Sequence, residues 1–236
     1  MKHFKLLREG IDVQPYIDEL TANENVFDAD FSRQNGIPVQ RETKAVLLFG
    51  VDVGTADRSK LDYAFLDTQA RHGMAIRYRG TETPEAKVLT TSAQYVKDLC
   101  REFHGVPGRA VVARLGVDGK IYKHTDDSLY WLMRDRYHLV VKCGEKGTWF
   151  RAGDEEVHMR QGELWWFDPT VPHEAHNVSG VPRIHFVIDI LSRHSLGSYL
   201  VRAKRYPYRT FKRSVGSLLK HYRPPTTDAM PAPAGR

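Results

Sequence analysis

A mainly antiparallel β fold, a sandwich or barrel behind a mixed α/β N-terminal part, is predicted by three observations. Residues 109–191 read as short apolar runs separated by glycine-containing turns, the texture of an all-β domain. Helical spacing of apolar residues is confined to the first hundred residues. The chain has 236 residues, 41% hydrophobic and 27% charged, which suffices for one well-filled core.

Taken in order, HFKLL (3–7) reads as a short strand. In VQPYIDELTANENVF (13–27) the residues Val13, Tyr16, Ile17 and Leu20 repeat at helical spacing, and Pro15 suits a first turn. KAVLLFG (44–50) is a strand ended by glycine, and residues 51–60 read as loop. TSAQYVKDLCREFHG (91–105) opens with Thr/Ser caps and lines Tyr95, Val96, Leu99 and Phe103 on one face, so a helix ending at Gly105 is expected. Strands then follow over 109–116, 119–124, 136–144, 147–153, 155–160, 163–168, 174–179 and 183–191. Turn signals such as VDGK, GEKG, AGDE, RQGE and SGVP lie among them. One domain over 1–200 is expected, with its β core at about 105–192 and residues 1–104 as support.

Charge divides the chain. Nine Lys or Arg and no Asp or Glu lie between Ile190 and Thr227; taking those nine from the formal +6 leaves −3 for the rest. Tyr199, Tyr206, Tyr208 and Tyr222 interleave this basic segment (201–223), a composition compatible with nucleic acid. No recognition motif accompanies it, so a solvated arm is the expected reading. RPPTTDAMPAPAGR, which includes the tail 224–236, reads as disordered. Cys100 and Cys143 form no CxxC, no apolar run is long enough for a membrane span, and the first residues lack a secretory signal. A cytoplasmic setting is expected, without a membrane partner.

The chemistry starts at KHTDD (123–127). In an extended segment alternate side chains share a face, so His124 and Asp126 stand side by side. Two histidines and one carboxylate on one face of a metal, with open positions opposite, form the facial triad of non-heme Fe(II) oxygenases. A further histidine, His173, follows in GELWWFDPTVPHEAHN (162–177), 47 residues after Asp126. Arg183 comes ten residues later within the apolar VPRIHFVIDI, where a guanidinium is costly unless it meets an anion. Strand parity also puts Arg134, Arg136 and His138 on one face, which makes poor core and a good anion pocket. His176, three residues beyond His173, would face the opposite side. His158 and His185 read as hydrogen-bonding residues of the sheet, and Trp165, Trp166 and Phe167 as filling.

These stretches, with RDRYHLVV (134–141), resemble the aspartyl/asparaginyl β-hydroxylase family and the related bacterial proline hydroxylases. The resemblance implies a double-stranded β-helix (jelly-roll, cupin-like), flanked here by N-terminal helices and a basic C-terminal extension. It implies an Fe(II)- and 2-oxoglutarate-dependent dioxygenase that uses O2. By it His124, Asp126 and His173 would be iron ligands, and Arg183 would pair with the distal carboxylate of 2-oxoglutarate. His138 would lie near the iron-chelating end of the co-substrate, and Arg136 at the boundary between co-substrate and substrate. Arg134 and Arg136 suggest a substrate with a carboxylate, either a free amino acid or an acidic peptide side chain. Animal members have glycine at the position of Asp126, so this chain looks like the complete-triad bacterial members. A hydroxyl that helps hold 2-oxoglutarate in some relatives is replaced at Ala113 or a neighbour, leaving Tyr122 or Thr148 as substitutes. The competing class is a cupin-like metal or small-acid binding module without turnover, its basic tail contacting nucleic acid, which needs no open metal face. A third is another metal enzyme on the same barrel, such as an isomerase, which would not require Arg183 at that spacing.

Overall fold

A computed structural model describes residues 1–28, 37–52, 69, 71, 73, 75, 77–126, 128–192, 195 and 197–200. Most of the 51–60 loop, Asp127, the basic segment 201–223 and the tail 224–236 lie outside the described residues. The strands are β1 (Phe4–Arg8), β2 (Thr43–Gly50), β3 (Thr81–Glu82), β4 (Gly105–Leu115), β5 (Lys120–His124) and β6 (Asp135–Lys142). They continue with β7 (Thr148–Ala152), β8 (Glu155–Val157), β9 (Leu164–Phe167), β10 (His173–Asn177) and β11 (Arg183–Ser192). The α-helices that frame the sheets are α1 (Gln14–Ala22), α2 (Pro84–Val88), α3 (Thr90–Glu102) and α4 (Leu129–Leu132), and among the described residues no helix is long and apolar enough to cross a membrane.

Two antiparallel sheets form. The larger runs β1-β9-β6-β11-β4-β2-β3 and the smaller β5-β10-β7-β8. From β4 onward the chain visits the large sheet, the small, the large, twice the small, then the large, the small and the large. That alternation winds an antiparallel ribbon into a double-stranded β-helix, the jelly-roll solution to exposed strand edges. β1 and β2 extend the large sheet by pairing with β9 and β4.

The period-2 pattern decides what lies on each face. On β6 the residues Tyr137, Leu139 and Val141, and on β11 Phe186, Ile188 and Ile190, pack outward against α1 and α3. Tyr16 of α1 meets Phe186 edge-on at 5.3 Å and Tyr95 of α3 at 5.4 Å. The alternate residues Arg136, His138 and Val140, with Arg183, His185 and Asp189, take the other face, between the sheets. There the apolar filling is Phe4, Phe150, Val157, Met159, Trp165, Phe167 and Val171. A strand face that mixes these charges with aromatic packing belongs to a site, not to a core.

Two expectations change at the helices. The N-terminal helix stops at Ala22, and a 3-10 turn over Glu24–Asp28 carries Val26 and Phe27 into the core. Asn23 ends it, its amide donating to the Glu19 carbonyl. α3 takes no cap from its own Thr or Ser side chains. Instead the Glu19 carboxylate accepts from the Thr91 and Ser92 amides at 2.6 and 2.9 Å, a carboxylate from α1 at the positive helix end. Gly105 opens β4 rather than ending α3, and His104 takes the left-handed turn with φ 47°. A side chain at Gly105 would run into Ile190 Cγ2 at 2.4 Å, so the glycine permits close strand packing.

Candidate metal centre

His124 ends β5 and His173 begins β10, and the two are cross-strand partners. Their rings lie 4.2 Å apart, tilted by 52°. Asp126 follows β5, where its amide donates to the Pro169 carbonyl and fixes the loop against the turn before β10. One ligand atom from each of His124, Asp126 and His173 lies within 4.8 Å of the others. His176, by contrast, meets Trp149 edge-on at 5.7 Å.

Both imidazoles are oriented in the same way. His124 Nδ1 lies 2.7 Å from the Tyr122 carbonyl, and His173 Nδ1 lies 2.9 Å from the Val171 carbonyl. A carbonyl only accepts, so each Nδ1 carries a proton and Nε2 is the nitrogen that can hold a metal. His124 Nε2 is buried and has no protein partner. Burial pushes His173 down to about 4 despite the opposing pull of Asp126, so the ring is neutral near pH 7. Burial works against the Asp126 charge, but Arg136, His173 and His124 outweigh it and hold the carboxyl below its ordinary range. Two imidazoles and one carboxylate are the donor set of a facial triad.

Beyond the triad, Arg183 is 6% exposed. Its Nη2 lies 3.1 Å from His185 Nδ1 and its guanidinium 5.6 Å from the Phe150 ring centroid. Among the described residues no carboxylate pairs with it, and burial pushes its pKa down to about 10. His185 Nδ1 also lies 3.2 Å from His138 Nδ1. His138 and His185 are both held well below the ordinary imidazole value, by burial first and then by Arg183. The Nε2 atoms of both are buried and unpartnered. Phe150 and Phe167 touch both His138 and His173, so two aromatic rings join the triad to the Arg183 end.

The other arginines are already engaged. Arg136 donates through Nη1 to Asp126 Oδ2 at 2.6 Å and through Nε to Asp189 Oδ1 at 2.8 Å. Arg134, expected on the substrate side beside Arg136, lies just before β6 and is 1% exposed. Its guanidinium donates to the Ala75 and Tyr78 carbonyls at 2.7 Å and stacks over Tyr130. Strand parity does not govern it, because it is not in the strand. The two hydroxyls considered as substitutes near Arg183 are also committed, Tyr122 to Glu42 and Thr148 to His158. His185 is the cross-strand partner of Ala113, where the hydroxyl is missing.

The family model for aspartyl/asparaginyl β-hydroxylase matches residues 70–193, more than half of the chain. The chain belongs to the aspartyl/asparaginyl β-hydroxylase family. It is therefore an enzyme, a 2-oxoglutarate-dependent hydroxylase of the class that uses Fe(II) and O2. Distant likenesses also occur among solved structures. A viral collagen prolyl hydroxylase of Paramecium bursaria Chlorella virus-1, in a 2-oxoglutarate complex, is 10% identical with a TM-score of 0.45, covering 80% of this chain and 96% of that one. A 2OG-Fe(II) oxygenase family oxidoreductase of Burkholderia pseudomallei is 15% identical with a TM-score of 0.44, covering 82% and 95%. A cupin domain of Bordetella pertussis is 14% identical with a TM-score of 0.28, covering 36% and 92%. The alternation of strands between two sheets carries the fold assignment of this hydroxylase.

Proposed function

We propose that this hydroxylase holds Fe(II) through His124, Asp126 and His173 and binds 2-oxoglutarate with its distal carboxylate on Arg183. Its substrate is a free amino acid or an aspartyl/asparaginyl-type residue in a peptide. The observation that supports this most is the pairing of two deficits linked through the Phe150 ring, which lies beside both His173 and Arg183. A three-donor cluster has an orphaned His124 Nε2, and a buried guanidinium has no counter-ion among the described residues. One metal ion and one dicarboxylate answer both.

When bound there, Fe(II) with 2-oxoglutarate and O2 supplies the oxidising power for C–H hydroxylation, with succinate and CO2 as co-products. The chain's own residues orient and exclude. The Tyr122 and Val171 carbonyls fix the tautomers of His124 and His173. Arg183 presents a planar fork to a carboxylate. His185, beside Arg183 and opposite Ala113, takes the place of the relatives' hydroxyl, and His138 stands at the metal-proximal end. Phe150 and Phe167 keep water from the space between. The packing of the N-terminal elements on the β-helix supports one oxygenase unit through about residue 200.

The test is succinate release by full-length protein with Fe(II), ascorbate, 2-oxoglutarate and candidate amino acids or peptides. Succinate should appear with the protein as isolated and be lost in Asp126→Ala and His173→Ala. No 2-oxoglutarate binding under anaerobic Fe(II) refutes the assignment and favours the binding-module reading.

A further inference from the structure

We infer that Arg136 is a positioning residue that aims the Asp126 carboxylate at the metal, held in place by Asp189, and is not a ligand of the co-substrate. This rests on the metal-centre reading above and departs from the boundary role that the family resemblance gives to Arg136.

All three nitrogens of the guanidinium are engaged by carboxylates. Nε and Nη2 face Asp189 at 2.8 and 3.4 Å, and Nη1 faces Asp126 Oδ2 at 2.6 Å. The plane stacks on Trp131, with its central carbon 4.1 Å from the ring centroid, so it cannot swing without losing that face. Arg136 and Asp189 are cross-strand partners of β6 and β11, which sets their approach through the sheet register. Asp189 is 2% exposed and also accepts from the Tyr130 hydroxyl at 3.2 Å. Turning Arg136 toward a co-substrate would leave that buried carboxylate without its cation.

Counting charges leads to the same place. The carboxylates of Asp126 and Asp189 against Arg136 leave one negative charge, and Arg183 cancels it. A divalent metal and a dicarboxylate then enter as a neutral pair. Were Arg136 spent on the dicarboxylate, Asp126 and Asp189 would lose the guanidinium that bridges them. With Oδ2 tied to Arg136, Oδ1 is the oxygen left for the metal, a carboxylate held by a second group as metal ligands commonly are.

The experiment uses full-length protein and Co(II), followed by its visible absorption, then 2-oxoglutarate titrated at saturating Co(II). Asp189→Asn and Arg136→Lys should each weaken Co(II) binding by about tenfold or more. The 2-oxoglutarate dissociation constant should stay within about threefold of the parent's, because Arg183 is intact. Unchanged Co(II) affinity, with or without weakened 2-oxoglutarate binding, overturns the inference. Should a variant fold poorly, the unsubstituted protein still decides with 15N-arginine labelling and Zn(II). The Arg136 Nε–H resonance should move when Zn(II) is added and stay when 2-oxoglutarate follows; the reverse order overturns it. If the parent protein binds no Co(II), or His173→Ala binds it equally well, the metal-centre reading itself fails, and the inference falls with it.

Discussion

Replacing Arg183 by methionine should move stability and co-substrate binding in opposite directions. The guanidinium is 6% exposed, and among the described residues its polar contact is one imidazole nitrogen. Burial pushes its pKa down to about 10, which corresponds to about 3 kcal/mol against the charged form. Methionine fills a similar volume without that cost, so the metal-free protein should gain about 1–3 kcal/mol, the lower end allowing for imperfect repacking. In a domain of this size that is an increase of about 2–10 °C in Tm. Charge-assisted hydrogen bonds to a carboxylate contribute about 1.5–3 kcal/mol each. Losing both bonds of the fork, about 3–6 kcal/mol, should therefore weaken 2-oxoglutarate binding by roughly 150-fold or more. Calorimetric melting of the metal-free protein and anaerobic titration of the Mn(II)-loaded protein measure the two effects. The sign with pH is also fixed. Below about pH 10 the folded and unfolded chains both carry the proton and the penalty is constant; above it the folded protein releases the proton first, so the penalty shrinks as pH rises further. A metal-free Arg183→Met protein clearly less stable than the parent would refute the reasoning, as would unchanged 2-oxoglutarate affinity.

The metal-free protein should lose stability as pH falls from about 6.5 toward 4. Unfolded His173 takes up a proton there while the buried ring, pushed down to about 4, does not, a difference of about 3 kcal/mol read from urea midpoints at pH 7 and pH 4.5. His173→Gln should flatten part of that slope, and an equal slope in both proteins contradicts the assignment. Glu19→Gln should lower stability by about 1–2 kcal/mol, because the Thr91 and Ser92 amides lose a charged acceptor at the helix end. Co(II) affinity should not change, so the two readouts separate capping from chemistry. Phe186→Ala, fully buried against Tyr16 and Tyr95, should cost about 3–5 kcal/mol in urea unfolding. A loss under about 1 kcal/mol would mean that α1 and α3 are not anchored there.

What could be read from the chain follows from which features are local. The strands of 105–192 are legible because each is a short apolar run closed by a turn that glycine marks, as at Gly147, Gly153 and Gly162, all with positive φ. His124 and Asp126 are legible as a pair because spacing within one extended segment fixes their common side. Arg134 was not, because parity holds only inside a strand and β6 begins one residue later. The ends of the N-terminal helices were hidden for a tertiary reason: Glu19 caps a helix 72 residues away, which no local signal reports. Asp189 carried a usable signal, a carboxylate inside the apolar FVIDIL at the parity of Arg183. It went unread because its meaning depends on Arg136, a partner 53 residues away in sequence. Trp131 had no signal at all; α4 is four residues long, and its role comes from the guanidinium above it.

Arg136 and Arg183 make the division between scaffold and receptor explicit. Both are buried arginines on neighbouring strands of the large sheet, facing the same interior, and composition cannot tell them apart. Their surroundings do. Burial opposes the charge of each, but for Arg136 the carboxylates of Asp189 and Asp126 outweigh it and push the pKa up. For Arg183 burial wins and the pKa falls to about 10. A buried cation with its anions built in is part of the fold, and removing it leaves carboxylates stranded. A buried cation without one is destabilising until a ligand supplies the anion, and a fold tolerates that only where the ligand matters. The same accounting leaves His124, His138, His158 and His185 each with a buried Nε2 that has no protein partner, and position then separates them: of the four, His124 lies in the three-donor cluster with Asp126 and His173. A metal would complete His124 Nε2, and a dicarboxylate would complete Arg183.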